Sequence, residues 1–200
     1  SSFVSGSGVI WKDQTVNQNN GTLTNGPVFD SDGGGSIDFD GSDDYCNIDN
    51  NLGITNYPFS ISFWAKFNSN TNIGLGSMVN SSTSNQIIGL GAVIFDSGVL
   101  KPRFIILNGS SHTKTGTTVL STDVWYNICQ VYSSNTSKFY YINGEIEMDW
   151  TDNVTFPTGV DRFTLASYGD TTPAYWDCKI SNTQIYNRAL SASEVLQNYN

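Results

Sequence analysis

Apolar and polar positions alternate with a period of two along most of the chain. Phe59, Ile61, Phe63, Ala65 and Phe67 interleave with Ser60, Ser62, Trp64 and Lys66, which is the pattern of a long strand with one face in a core. Similar runs predict strands over Ser36–Asp40, Tyr45–Ile48, Gln86–Phe95, Arg103–Leu107, Thr117–Leu120, Trp125–Ser133, Lys138–Ile142, Phe163–Ser167 and Lys179–Tyr186. Turn residues separate them: Gly33-Gly34-Gly35, Asn108-Gly109 and Asn143-Gly144. The last follows Phe139-Tyr140-Tyr141-Ile142 and predicts a type I′ hairpin, because both central residues tolerate positive φ. One helix is signalled at the C-terminus. Ser191 and Glu194 have capping-box spacing, Leu190 and Val195 have staple spacing, and the short helix is expected as a lid at one end of the fold. Many short strands with one short C-terminal helix predict an all-β chain, an antiparallel jelly-roll β-sandwich. Without repeats, charge blocks or Pro-rich linkers, residues 1–200 read as a single domain.

Composition narrows the function classes. Nine Lys+Arg stand against 18 Asp+Glu, for a formal net charge of −9. Scattered basic residues in an acidic chain give no footprint for a phosphate backbone, so nucleic acid is not an expected partner. No apolar run approaches the ~20 residues of a membrane helix, so no membrane insertion is expected. Charged residues are 14% of the chain and aromatics 13%, too little charge and too much apolar surface for disorder. Ser, Thr and Asn fill roughly a third of the positions, a neutral hydroxyl- and amide-rich surface. The N-terminus, Ser1-Ser2-Phe3-Val4, has no basic-then-apolar signal pattern and reads as trimmed or mature. Five Asn-x-Ser/Thr sequons, at Asn20, Asn80, Asn108, Asn135 and Asn153, match chance in so Asn-rich a chain and do not argue for glycosylation.

Several blocks together resemble a known family. They are Trp11-Lys12-Asp13 through Asn25-Gly26-Pro27, Gly35-Ser36-Ile37-Asp38-Phe39-Asp40-Gly41-Ser42-Asp43-Asp44-Tyr45, and Phe59 through Lys66. Trp125-Tyr126-Asn127-Ile128, Tyr141-Ile142-Asn143-Gly144-Glu145 and Ile185 through Val195 continue the series in order. The chain resembles laminin-G-like jelly rolls of the concanavalin A-like lectin/glucanase superfamily. The resemblance implies that fold and a role in carbohydrate binding, adhesion, structural packing or, in some branches, catalysis. The short polar style also looks like phage structural and bacterial surface proteins. Where the family usually has Gly-x-Ile-Asp-Glu/Asp before the last strand, this chain has Cys178-Lys179-Ile180-Ser181-Asn182, which weakens any metal site on that strand.

The candidate chemistry is sparse. In the glucanase branch, carboxylates alternate along one strand so that they share a face. Here Gly144-Glu145-Ile146-Glu147-Met148-Asp149-Trp150 has a different order and starts at the hairpin turn. It reads as a return strand with Glu145, Glu147 and Asp149 outside and Ile146, Met148 and Trp150 inside, with no catalytic residue assigned. His112, the one histidine, reads as an exposed loop residue. Cys46, Cys129 and Cys178 read as half-buried thiols, the alternative being a Cys46–Cys178 disulfide. Six acids crowd between Asp30 and Asp44, and Asp40, Asp43 and Asp44 around a tight turn are the candidates for a structural calcium, with an ordinary Asp/Gly turn as the competing reading. No other cofactor is expected.

Sugar rings pack on Trp and Tyr faces while amides and carboxylates read their hydroxyls. The ligand-binding candidates are Trp64, Tyr126, Tyr132, Tyr140, Trp150 and Trp176, with Tyr168 and Tyr175 nearby, whereas Trp11 and Trp125 are assigned to the core. The expected function is a non-catalytic carbohydrate-binding or adhesive module, extracellular on a virion or cell surface. Its partners would be glycans or neighbouring virion or surface proteins, and an oligomer is allowed. The alternative is a virion structural protein, a capsid decoration or tail-fibre domain; a glycoside hydrolase comes third.

Overall fold

The computed structural model describes residues 9–168 and 174–200; the Ser1–Val4 reading lies outside them. The elements in chain order are β1 (Ile10–Trp11), β2 (Gly21–Thr24), β3 (Val28–Asp30), β4 (Ser36–Asp40), β5 (Tyr45–Ile48), β6 (Phe59–Phe67), β7 (Gly76–Val79) and β8 (Gln86–Leu90). Then come β9 (Val93–Asp96), β10 (Val99–Asn108), β11 (Ser111–Thr115), β12 (Trp125–Ser134), β13 (Ser137–Ile142), β14 (Glu145–Trp150), β15 (Arg162–Leu165), β16 (Asp177–Tyr186) and helix α1 (Ala192–Tyr199). One sheet runs β1-β2-β5-β15-β7-β8-β10-β11, with β9 beside β10, and the other runs β14-β13-β12-β6-β16-β4-β3. Every described pairing is antiparallel, and the two sheets close a jelly-roll sandwich over one apolar core.

β6 shows how the alternation works. Phe59, Ile61, Phe63, Ala65 and Phe67 are all at most 1% exposed in the core. Ser60 and Ser62, on the outer face, are buried as well: the segment leading into α1 lies over Ser60, and the Ser62 hydroxyl meets Asn127 Nδ2 at 3.4 Å. The Ser60 hydroxyl donates to the Arg188 carbonyl (2.9 Å) and accepts from the Leu190 amide (3.0 Å), a fit that only a small polar side chain allows. The capping box forms, with Ser191 Oγ accepting from the Glu194 amide and Glu194 Oε2 from the Ser191 amide (2.8 Å). The helix lies on the outer face of the seven-stranded sheet rather than at one end of the sandwich. There Leu190 and Val195 bury against Cys129, Val131 and Tyr141 in a second small core.

Several expectations need correction. The run Gln86–Phe95 is two strands, broken at Gly91, whose φ of +59° turns the chain. Thr117–Leu120 makes only a bridge from Leu120 to Leu100, because the Glu147 carboxylate takes the amides of Thr117 (2.6 Å) and Thr118 (2.9 Å) and the Thr118 hydroxyl. The segment read as a loop around His112 is instead edge strand β11, with His112 opposite Ile106, half-buried and bonded to Asn108 Oδ1 at 3.0 Å. A bulge between β13 and β14 puts Tyr141 opposite Ile146 but Tyr140 opposite Met148. That extra residue shifts the alternation, so Ile146 faces out at 56% exposure while Met148 and Trp150 stay inside. Trp125 also belongs to the outer face, where a Cβ on Gly33 would come within 2.5 Å of its ring.

All three cysteines are buried free thiols, so the Cys46–Cys178 bridge does not form; Cys46 lies on β5 of one sheet and Cys178 on β16 of the other. A thiol-reactive dye is therefore expected to count three thiols after denaturation and almost none before it. No described helix is long and apolar enough to cross a membrane.

Candidate functional site

Four of the six aromatic candidates are corrected by burial. Tyr132 and Tyr140 are 0% exposed, Trp150 1% and Trp176 6%, so none presents a face to a ligand. Their polar atoms have internal duties. The β8–β9 corner frees backbone groups inside the sandwich, and the core supplies partners for them. Tyr132 Oη donates to the Gly89 carbonyl (3.4 Å), Tyr140 Oη to the Ala92 carbonyl (3.2 Å), and Gln130 Oε1 accepts from the Gly91 amide (2.9 Å). Trp150 lies beside Phe104 at 5.3 Å, and Trp176 packs edge-on against Tyr168 at 4.7 Å. Tyr126 also points inward, stacked with Phe67 at 6.2 Å, its hydroxyl accepting from the Ser121 amide. Trp64 alone of the six lies on an outer face, half-buried and stacked on Tyr199 of α1 at 5.8 Å. The signal was available: Tyr126 and Tyr132 share strand parity with core residue Ile128.

The acidic segment divides into two groups. Asp30 and Asp32 are ion-paired with Lys179 and Lys66, and Asp38 lies 3.6 Å from Lys179. Lys179 and Lys66 are themselves cross-strand neighbours on β16 and β6, so the carboxylates neutralise two lysines held side by side. Asp40, Asp43 and Asp44 have no salt bridge among the described residues, and one carboxylate oxygen from each lies within 4.8 Å of the others.

The turn that gathers them is tight. Asp40 is opposite Asp177 in the ladder, and Gly41, at φ +74°, passes so close that a Cβ there would lie 2.8 Å from the Asp177 Cβ. Asp40 Oδ1 accepts from the Ser42 amide (2.8 Å), and Asp44 Oδ2 accepts from the Asp40 amide (3.2 Å). Asn25 Nδ2 donates to the Asp43 carbonyl (2.8 Å), and Asn68 Nδ2 to Asp38 Oδ1 (2.9 Å). Together Asn25, Asp38, Asp40, Asp44, Asn68 and Asp177 line a depression of about 380 Å³. Asp44 is only 4% exposed. Burial raises its pKa, the Asp40 N–H opposes this, and the charges of Asp40, Asp43 and Asp38 push it further up. A cluster of oxygens with one buried carboxylate and no nitrogen or sulfur donor fits a hard cation such as calcium. Asn25, Asn68 and Asp177 were not singled out from sequence; only folding brings them to this turn.

The carboxylates on β14 make a different picture. Glu147 is committed to the 117–118 loop by three hydrogen bonds, and the bulge removes the common face that Glu145, Glu147 and Asp149 would need.

Comparison with known proteins agrees with this architecture. The family model described as the concanavalin A-like lectin/glucanases superfamily, in its Laminin_G_3 branch, matches residues 40–196. The sandwich extends beyond the matched region, since β2 pairs with β5 and β3 with β4. Domain 4 of AbnA, a GH43 extracellular arabinanase from Geobacillus stearothermophilus in complex with arabinotriose, superposes with a TM-score of 0.72 at 18% identity, over 90% of this chain and 88% of that one. The binding domain of Paraclostridial Mosquitocidal Protein 1 gives 0.71 at 18% identity, over 94% of this chain and 49% of its own. This chain thus spans about half of that toxin domain. A native heptameric SAP-like pentraxin from Limulus polyphemus gives 0.68 at 16% identity, over 82% and 81%. At these identities the likeness shows the fold alone. No curated protein matches the chain.

Proposed function

The chain belongs to the concanavalin A-like lectin/glucanases superfamily, and from that premise we propose that it is a non-catalytic carbohydrate-binding module, displayed outside the cell on a cell or particle surface. The observation that carries this reading is the acidic depression at the Asp40–Asp44 turn. Calcium held by Asp40, Asp43 and Asp44 would leave coordination positions for sugar hydroxyls, and the neighbouring carboxamides Asn25 and Asn68 supply further hydrogen bonds. The arabinotriose complex of a domain with the same fold makes oligosaccharides the natural first probes.

The test is binding to a glycan array with calcium and with EDTA. Saccharide capture is expected to weaken at least about tenfold in EDTA and in an Asp44→Asn variant. Flat arrays in both conditions, combined with copurification of the chain with virus particles, would replace this reading by the virion structural one.

A stability experiment probes the cation independently. Burial raises the native pKa of Asp44, so without cation its contribution to stability is lost as pH rises through that pKa. At neutral pH in EDTA, Asp44→Asn is expected to melt above the native chain, since an amide oxygen can still accept from the Asp40 N–H. In calcium the order inverts, because a ligand bound only by the folded state raises Tm by mass action. Identical melting of the native chain with and without calcium would exclude the cation.

A further inference from the structure

The opposite end of the sandwich has a cleft of different chemistry. Thr55 and Asn56 precede β6 and Asn68 follows it, so the nine residues of β6 separate this cleft from the acidic depression by roughly 30 Å. The cleft measures about 480 Å³; Thr55, Asn56, Asn135, Thr155, Phe156 and Thr158 are on its wall, and none of its lining residues is charged.

One wall is fixed by a belt of carboxamides drawn from distant parts of the chain. Asn108 Nδ2 donates to the Thr155 carbonyl (3.1 Å) and hydroxyl (2.9 Å). Gln86 Oε1 accepts from the Thr158 amide (2.7 Å), and Asn80 Nδ2 donates to the Thr158 carbonyl (3.3 Å). Asn51 Nδ2 reaches the Val160 carbonyl (3.4 Å). Gly159, at φ +68°, lies so close to Asn80 that a Cβ would come within 2.5 Å of its Nδ2. The other wall is the β12–β13 hairpin, joined to this loop by the Val154 amide donating to the Asn135 carbonyl (2.9 Å). Phe156, half-buried between them, stands edge-on to Tyr57 at 5.4 Å.

The polar atoms that remain belong to exposed residues and have no hydrogen-bond partner among the described residues. Asn56 Oδ1 takes the Tyr57 amide, which leaves Asn56 Nδ2 free, and the side chains of Asn135 and Thr55 have no hydrogen bond among the described residues. A held wall, an aromatic ring and unused amides and hydroxyls suit a ligand with C–H faces and hydroxyls but no charge. Because the walls are already ordered, little entropy is lost when they meet it.

We propose that this cleft is a second, calcium-independent site for an uncharged saccharide, so that the module binds glycans at both ends of β6. The inference extends the carbohydrate-binding reading, yet it uses none of the residues of the acidic rim. The test is a titration of the isotope-labelled protein in EDTA with arabinotriose, cellotriose and maltotriose, followed by amide NMR shifts. At least one trisaccharide is expected to shift the amides of Asn135, Thr155, Thr158 and Gly159 saturably. The double variant Thr55→Ala/Asn135→Ala, at exposed positions whose side chains make no hydrogen bond among the described residues, is expected to keep its Tm and lose about fivefold or more in affinity. Phe156→Leu, which keeps apolar packing against Tyr57, is expected to weaken binding without unfolding the chain. No shift with any of the three sugars, shifts confined to the acidic rim, or unchanged affinity in both variants would overturn the site. Loss of this response with intact calcium-dependent capture sinks only the second site. The converse sinks only the rim.

Discussion

Replacing Trp150 with alanine is expected to lower the free energy of unfolding by roughly 3–5 kcal/mol, the usual cost of emptying a fully buried large aromatic position. Trp150 is 1% exposed, packs beside Phe104, and lies under the Lys138 ammonium at 5.0 Å. The cavity left by the substitution would also strip one ring face from that cation. A chemical denaturation curve measures the loss, and a change below about 1 kcal/mol would show that the indole is not part of the core. Affinity for glycan, measured well below the variant's Tm, should be unchanged, which separates a packing residue from a sugar platform.

The second large effect concerns Lys138, whose side chain is buried on the inner parity of β13. Its Nζ donates to the carbonyls of Asn135 (2.5 Å) and Asp152 (3.2 Å) and lies over the rings of Trp150 and Tyr57. No carboxylate side chain forms an ion pair with it among the described residues. Burial pulls its pKa from 10.5 down to about 8, a displacement that the charge of Asp152 partly opposes. The unfolded chain keeps this proton up to about pH 10.5, whereas the native chain releases it near pH 8. Between those values the unfolded state binds more protons, so the native state gains stability as pH rises, by no more than roughly 3 kcal/mol. Below about pH 8 the cost of the buried charge is constant.

The clean measurement is the difference between the native chain and Lys138→Met in urea unfolding at pH 7.5 and 10. The native chain should gain on the variant across that range. The buried thiols act in the opposite sense: burial pushes Cys46 and Cys129 up to about 12, so their contribution falls as the unfolded chain ionises above pH 9. That contribution is common to both proteins and cancels in the difference. A difference independent of pH would show that the ammonium is solvated.

These two residues also show how far the sequence could be read. The alternation of β6, the capping box and the Asn143-Gly144 hairpin are local physics, and each is present where the pattern puts it. Parity alone placed Met148 and Trp150 inside β14, yet it put Ile146 there too, because a bulge inserts a residue without any local mark of its own. Tyr132 and Tyr140 looked like exposed sugar platforms because a phenol suits either role. Their assignment to the core depends on the β8–β9 corner, some 40 residues earlier in the chain, where carbonyls need donors.

The sites follow the same division. Six acids between Asp30 and Asp44 were visible as a cluster, but which of them carries free charge depends on Lys66 and Lys179, delivered by β6 and β16. The neutral cleft had no sequence signal at all. Asn51, Asn80, Gln86 and Asn108 are ordinary surface residues until the two sheets close and aim their amides at one loop.

The sequence by itself determined what period and short-range hydrogen bonding can encode: an antiparallel sandwich, its main strands, its one helix and a surface low in charge. Tertiary structure alone decided which faces are covered, which polar groups are already paired, and which remain free to meet a ligand. The reason is that burial and pairing depend on residues far apart in the chain, and such neighbours are fixed only when the sheets pack.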